Sequence, residues 1–347
     1  MTYPPGPPPY GYGYPPPPPP RPGVIPLAPL TLGSILGGAF GALGRHWKQL
    51  LGVTAAVYGT ALLFVGASIG IAYAAVGDLL PAVFDLPPGQ KPRWDDAQPL
   101  IVAFVLVWIG GLIAILCANA VTAAACPTVI QEAVLGRRIT FGSLWRRAWA
   151  RMPAVLGAVI LSSLPMLLMT AVFAATFIAL LANLGGGPVS LVLTAFVGAG
   201  LAALPLTPLV LWLWVKFSLA PAAAVMEGQG VIASMRRSSV LVRGFWWRSF
   251  GVLLLIGLMT TVAGWVIQQI LSLLMSAPMA ALDFTADDGT AVIVAFAVLF
   301  AFLLVGQLVS QLVVSVFPPL VAALLYVDLR IRKENLAPEL ARAAGLL

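Results

Sequence analysis

The stretch LIVAFVLVWIGGLIAILCANAVTAAA at residues 100–125 contains no Asp, Glu, Lys or Arg. A helix rises 1.5 Å per residue, so about 20 apolar residues cross the hydrocarbon core of a bilayer. This stretch is long enough, and its backbone polar groups must be satisfied within the segment if lipid surrounds it, which favours a helix. Five further uncharged apolar runs meet the same test, at residues 50–76, 154–184, 189–215, 250–275 and 291–327.

Composition points the same way. Of 347 residues, 60% are hydrophobic and 9% are charged; a soluble domain carries about 25% charged residues. A surface so poor in charge suits lipid rather than water. A transmembrane barrel would show short segments of alternating polarity, and none is present. The expected fold class is therefore all-α: a polytopic membrane protein with six transmembrane helices at residues 31–335. The first 20 residues hold no Lys or Arg and no apolar stretch, so no signal peptide is expected and the first span should remain as an anchor.

Charge orients the chain. The loops after spans one, three and five hold Lys91 and Arg93 as their basic residues, leaving 17 of the 19 Lys and Arg on the other side. Short loops rich in Lys and Arg stay cytoplasmic. Six spans then put both ends in the cytoplasm, and the net charge of +7 reads as attraction to anionic lipid headgroups. Nucleic acid is not an expected partner, because no soluble basic surface exists.

Residues 1–22, MTYPPGPPPYGYGYPPPPPPRP, are Pro, Tyr and Gly with one charge. Residues 1–30 are expected to be a disordered cytoplasmic tail with polyproline II character. It is either a spacer or a docking strip for a protein partner with an aromatic groove. Residues 336–347 read as a short cytoplasmic tail.

Three amphipathic segments precede spans. From Thr31, a capping residue, to Trp47, the residues Leu32, Ile35, Leu36, Ala39, Phe40, Leu43 and Trp47 share one helical face. From Ser143 to Met152, Leu144, Trp145, Ala148, Trp149 and Met152 oppose Arg146, Arg147 and Arg151. Residues 231–243 carry Arg236, Arg237 and Arg243 with poorer separation. All three are expected on the membrane surface. Each leads into a span, and each following span meets a proline and ends in an acid: PTVIQE at 127–132, PAAAVME at 221–227 and PPLVAALLYVD at 318–328. The pattern suggests three helix-hairpin repeats of about 100 residues. Pro127, Pro221 and the Pro318–Pro319 pair should kink or break the even-numbered spans, and Pro205 and Pro208 should bend the fourth.

Glu132, Glu227 and Asp328 thus occupy equivalent places at the inner boundary. They either pair with arginines of the surface helices or form a ring of acids at a cation entrance. Gln268 and Gln269 in span five, and Gln307 and Gln311 in span six, are candidate intramembrane polar groups that bond across helices or line a polar path. His46, the one histidine, reads as an interfacial side chain. Cys117 and Cys126 are half a helical turn out of phase and cannot pair. No phosphate loop, nucleophile elbow or metal-ligand spacing appears, so no catalytic residue, cofactor or metal is expected.

The blocks PGVIPLAPLTLGSILGGAF at 22–40, FSLAPAAAVMEGQGVIASMRRSSVLVRGFWWRSFG at 217–251 and LLYVDLRIRKENLAPELARAA at 324–344 resemble the membrane domain of the bacterial glycerophosphodiester phosphodiesterase membrane-domain family, in its stand-alone actinobacterial form of unknown function. The resemblance implies a bacterial plasma-membrane protein. It does not bring the reaction, which in that family belongs to a separate soluble barrel. The expected function is a non-catalytic membrane scaffold or partner-binding protein; the alternative is a transporter or lipid-handling protein.

Overall fold

A computed structural model describes residues 23–84, 93–183, 189–281 and 289–343. The fold is 89% helical and, among the described residues, has no strand. The helices are α1 (Leu32–Val76), α2 (Leu80–Phe84), α3 (Trp94–Val134), α4 (Phe141–Asn183), α5 (Val189–Ala203), α6 (Thr207–Phe217), α7 (Ala220–Met226), α8 (Val231–Val242), α9 (Trp246–Ala281), α10 (Gly289–Glu334) and α11 (Ala337–Ala343). Six helical stretches are long and apolar enough to cross a membrane: Leu32–Leu79, Trp94–Val134, Phe141–Phe173, Phe196–Met226, Trp246–Leu274 and Val314–Glu334. The chain is a multi-pass integral membrane protein.

Thr31 caps α1 as its residue type suggests. Its side chain accepts the Ser34 backbone N–H, and Ser34 Oγ accepts the Thr31 N–H in return at 2.7 Å. The amphipathic start of α1 and its span form one helix with a kink at His46 (φ −120°, ψ 20°). The second amphipathic segment likewise runs straight into its span as α4. α8 stands apart, separated from α9 by a turn at Gly244.

The core sits at one end of the bundle. Ile35 and Leu50 of α1, Val121 and Ala124 to Ile130 of α3, Leu144 and Val155 of α4, Leu241 of α8, and Leu320 and Ala323 to Leu329 of α10 are buried there. This is also where Arg147, Arg237, Arg248 and Arg332 lie. The opposite halves of α1, α3, α4 and α9 expose Leu63, Phe104, Leu168 and Leu273, as lipid-facing surfaces do. In lipid the apolar surface gains little by leaving one apolar medium for another. Close packing of small side chains is what draws helices together. α7 meets this need: Ala220, Ala222, Ala223 and Ala224 are buried where α7 packs on α3, α4 and α8.

Residues 23–30 belong to the folded part, not the tail. Ile25 and Leu30 are fully buried, and the Val24 N–H donates to Ala133 O at 3.1 Å. The buried apolar side chains Ile25, Leu27 and Leu30 let a proline-interrupted segment pack as a strap. Residues 1–22 lie outside the described residues. At the other end, Leu336 is buried and Ala337–Ala343 is helical, so ordered structure continues past 335.

The prolines act in two ways: span four breaks at Pro205 and before Pro221, as expected, while spans two and six do not break. α3 continues through Pro127 and α10 through Pro318 and Pro319. Each missing N–H removes one helical bond, and close neighbours hold the rest of the helix. Span four is the one that breaks, into α5, a 3-10 turn at Leu204–Leu206, α6 and α7. The apolar face at the start of α1 is divided between protein and the outside. Gly38 and Ala39 are buried, with Gly38 against Ile25 and Leu324, while Leu32, Phe40 and Trp47 remain exposed.

Candidate functional site

Glu132, Glu227 and Asp328 all meet arginines. Glu132, at the end of α3, accepts Arg147 Nη1 of α4 at 2.8 Å. Glu227, at the C-terminus of α7, accepts Arg237 Nε of α8 at 2.8 Å and Gln229 Nε2 at 2.8 Å, and it bonds the Tyr326 hydroxyl of α10. Arg330 approaches it at 3.7 Å. Arg237 and Arg330 both extend to Glu334, an acid the sequence reading did not single out. Hydrogen bonding, first to Glu334 and then to Glu227, raises the Arg237 guanidinium pKa above its ordinary value.

Asp328 is fully buried. It accepts Arg248 Nε of α9 at 3.0 Å, Arg332 Nε one turn along α10 at 2.9 Å, and the Leu30 N–H at 2.7 Å. The same two arginines donate to Leu30 O, at 2.6 and 2.9 Å. A buried carboxylate is tolerable only when paired and hydrogen-bonded in this manner. The three acids therefore sit in different surroundings. Two tie a helix end to the next amphipathic segment, and the third locks the N-terminal strap.

The break in span four is satisfied by a distant side chain. Ser238 Oγ of α8 accepts the Leu219 N–H at 3.2 Å and donates to Lys216 O at 2.8 Å. The turn after α7 is held similarly: Gln131 donates to Met226 O at 3.2 Å and Arg151 to Gly228 O at 3.1 Å. Gly228 needs its φ of +67° there. Tyr58 of α1 donates to Asn119 of α3 at 2.6 Å. None of these polar links was among the sequence candidates, since none is signalled by local spacing.

The prolines converge. Pro127, Pro221, Pro318 and Pro319 line one cavity of about 240 Å³ with Ser162, Ser218 and Trp214. Proline has no N–H to donate, so the helix carbonyls four residues before each lose their usual partner; that of Pro127 belongs to Ala123, itself a lining residue. The cavity is mostly apolar and holds no ionisable side chain among its lining residues.

The remaining candidates do not join this site. Gln268 is exposed on α9 and Gln311 half-buried on α10, with no side-chain bond between them among the described residues; the side chain of Gln307 lies outside the described residues. His46 is buried rather than interfacial, at 1% exposure, because the α1 kink turns it inward. Cys117 and Cys126 are unpaired with each other, as their helical phase requires. No family model, no curated protein and no solved structure matches the chain.

Proposed function

We propose that this chain is a non-catalytic scaffold of the bacterial plasma membrane, with both ends in the cytoplasm, that holds partners and anionic lipid at its basic face. The observation that carries this reading is the ion-pair set at that face. Glu132, Glu227 and Asp328 are each matched by arginine, leaving none of them as an open carboxylate for cation entry or proton transfer. Matched pairs of this kind fix helices against one another. They make a rigid platform from which a Pro- and Tyr-rich tail can reach a soluble partner. The charge asymmetry of the loops supports the orientation, and the likeness of the blocks at 22–40, 217–251 and 324–344 to the phosphodiesterase-associated membrane domain supports the bacterial setting. The order of amphipathic segment, span and acid, read three times along the chain, supports three helix-hairpin repeats.

A second reading, a transporter or lipid-handling protein, rests on the proline-lined cavity. A broken helix beside a pocket with a few hydroxyls, here span four with Ser162 and Ser218, is a feature that substrate sites of many transporters share. Flux assays in reconstituted vesicles test between the two. The scaffold reading expects solute, cation and lipid movement at the protein-free background. Flux that Ser162→Leu or Ser218→Leu abolishes, with melting unchanged, would replace it by the second reading.

A further inference from the structure

We propose that the outward face of α8 carries a binding site for the phosphate of an anionic phospholipid, centred on Arg236. The inference deepens the lipid-partner reading above and rests on it. Gln229, Ala233, Arg236, Arg237 and Val240 line a pocket of about 290 Å³. Its charges do not cancel. Glu227 and Glu334 are matched by Arg237 and Arg330. Arg236 makes no ion pair among the described residues and is exposed. Lys333 adds positive charge at the pocket's rim, where its Nζ donates to Val240 O at 2.7 Å, and Arg243 is exposed one turn beyond Val240. A guanidinium fork can meet two oxygens of a phosphate at once.

The flanking residues select lipid over a soluble phosphate. Ile232, Arg236 and Val240 are spaced four apart and share one stripe of α8. Ile232 is 78% and Val240 52% exposed, while the opposite stripe of Ser234, Ser238 and Leu241 is buried. An exposed arginine set between two exposed apolar side chains matches the layer where headgroup phosphates meet acyl chains. Trp247, 78% exposed beyond the end of α8, has the amphipathic ring typical of that depth.

The test uses the full-length protein in nanodiscs of phosphatidylcholine alone or mixed with phosphatidylglycerol, followed by native mass spectrometry to count retained lipid. Wild type should retain phosphatidylglycerol in preference to phosphatidylcholine. Arg236→Gln should bind it about fivefold more weakly, with melting in phosphatidylcholine discs unchanged, and Arg236→Lys should lie between the two. Inorganic phosphate and glycerol 3-phosphate should raise melting in neither protein. Equal retention by wild type and Arg236→Gln overturns the site, as does stabilisation by the soluble phosphates matching that by phosphatidylglycerol. Both leaflets of a nanodisc are alike, so this result is independent of orientation. The cytoplasmic placement fails separately, if cysteines introduced at 228–248 label from outside cells.

Discussion

Leu30 donates its backbone N–H to Asp328 Oδ1 at 2.7 Å, a bond that spans 298 residues of sequence. Arg248 and Arg332 bridge the same two residues, each reaching both the Asp328 carboxylate and the Leu30 carbonyl. The approach to the first span, the start of the fifth and the end of the sixth are thus closed by one buried carboxylate. Asp328→Asn removes the charge and leaves two guanidinium groups facing each other. Removing one partner of a buried pair costs about 3 kcal/mol. A large fall in melting temperature is expected in detergent and in nanodiscs, and an unchanged melt would show that the arginines suffice alone.

Glu132→Gln should behave differently. The Arg147 side chain is 52% exposed and that of Glu132 19%, so water and headgroup phosphates can replace the lost partner. The expected cost is about 1 kcal/mol or less, and vesicle flux should stay at background. Flux that appears in wild type and falls to background in Glu132→Gln would instead place this acid at a cation entrance.

Ser238→Ala probes the broken span. The hydroxyl serves both the Leu219 N–H and the Lys216 carbonyl, and burial denies the Leu219 N–H water. Leaving buried backbone groups unsatisfied costs about 1–3 kcal/mol. The melt should fall by that order, and Ser238→Thr, which keeps the hydroxyl, should recover part of it. Equal melts for Ser238→Ala and wild type would mean that the break is satisfied elsewhere.

The spans were legible because lipid imposes a simple rule: about 20 uncharged apolar residues in a row. The Thr31 cap was legible because its bond is local. What escaped was non-local or disguised. Residues 23–30 contain Pro26 and Pro29 and follow a Pro-rich tail, which hides that Ile25, Leu27 and Leu30 bury themselves on the core. The pairing of acids with basic residues of the amphipathic segments was readable for Glu132 and Glu227, whose partners Arg147 and Arg237 lie in the next such segment. Asp328 has no such segment after it; Arg332 lies one turn on, but its other partner, Arg248, is 80 residues earlier. Ser238 looked like an ordinary helix serine, since the break it serves is about 20 residues away. The convergence of the prolines on one cavity depends on how whole helices pack, which spacing within one segment does not encode.

The strap gives the sharpest contrast between neighbouring residues of one type. A Cβ added at Gly23 would lie 2.0 Å from Ala133 O and 2.5 Å from Val134 O. Both are backbone atoms at the end of α3, so no side chain can swing aside. Gly23→Ala must push the strap off α3 and stretch the bond from the Val24 N–H to Ala133 O, now 3.1 Å. Overpacking of this kind costs about 1–3 kcal/mol. Gly37 is the control: nothing lies within 4 Å of a Cβ there, it sits in helical α1, and Gly37→Ala should be neutral or stabilising by up to about 1 kcal/mol. Deletion of residues 2–21 should match wild type, because that composition buries nothing, whereas deletion of 2–30 removes Ile25, Leu30 and the contacts to Asp328 together. The order of melting temperatures should be Gly37→Ala at or above wild type and the 2–21 deletion, then Gly23→Ala, then the 2–30 deletion. A 2–30 deletion that melts with wild type would show that the strap is held by the core without supporting it.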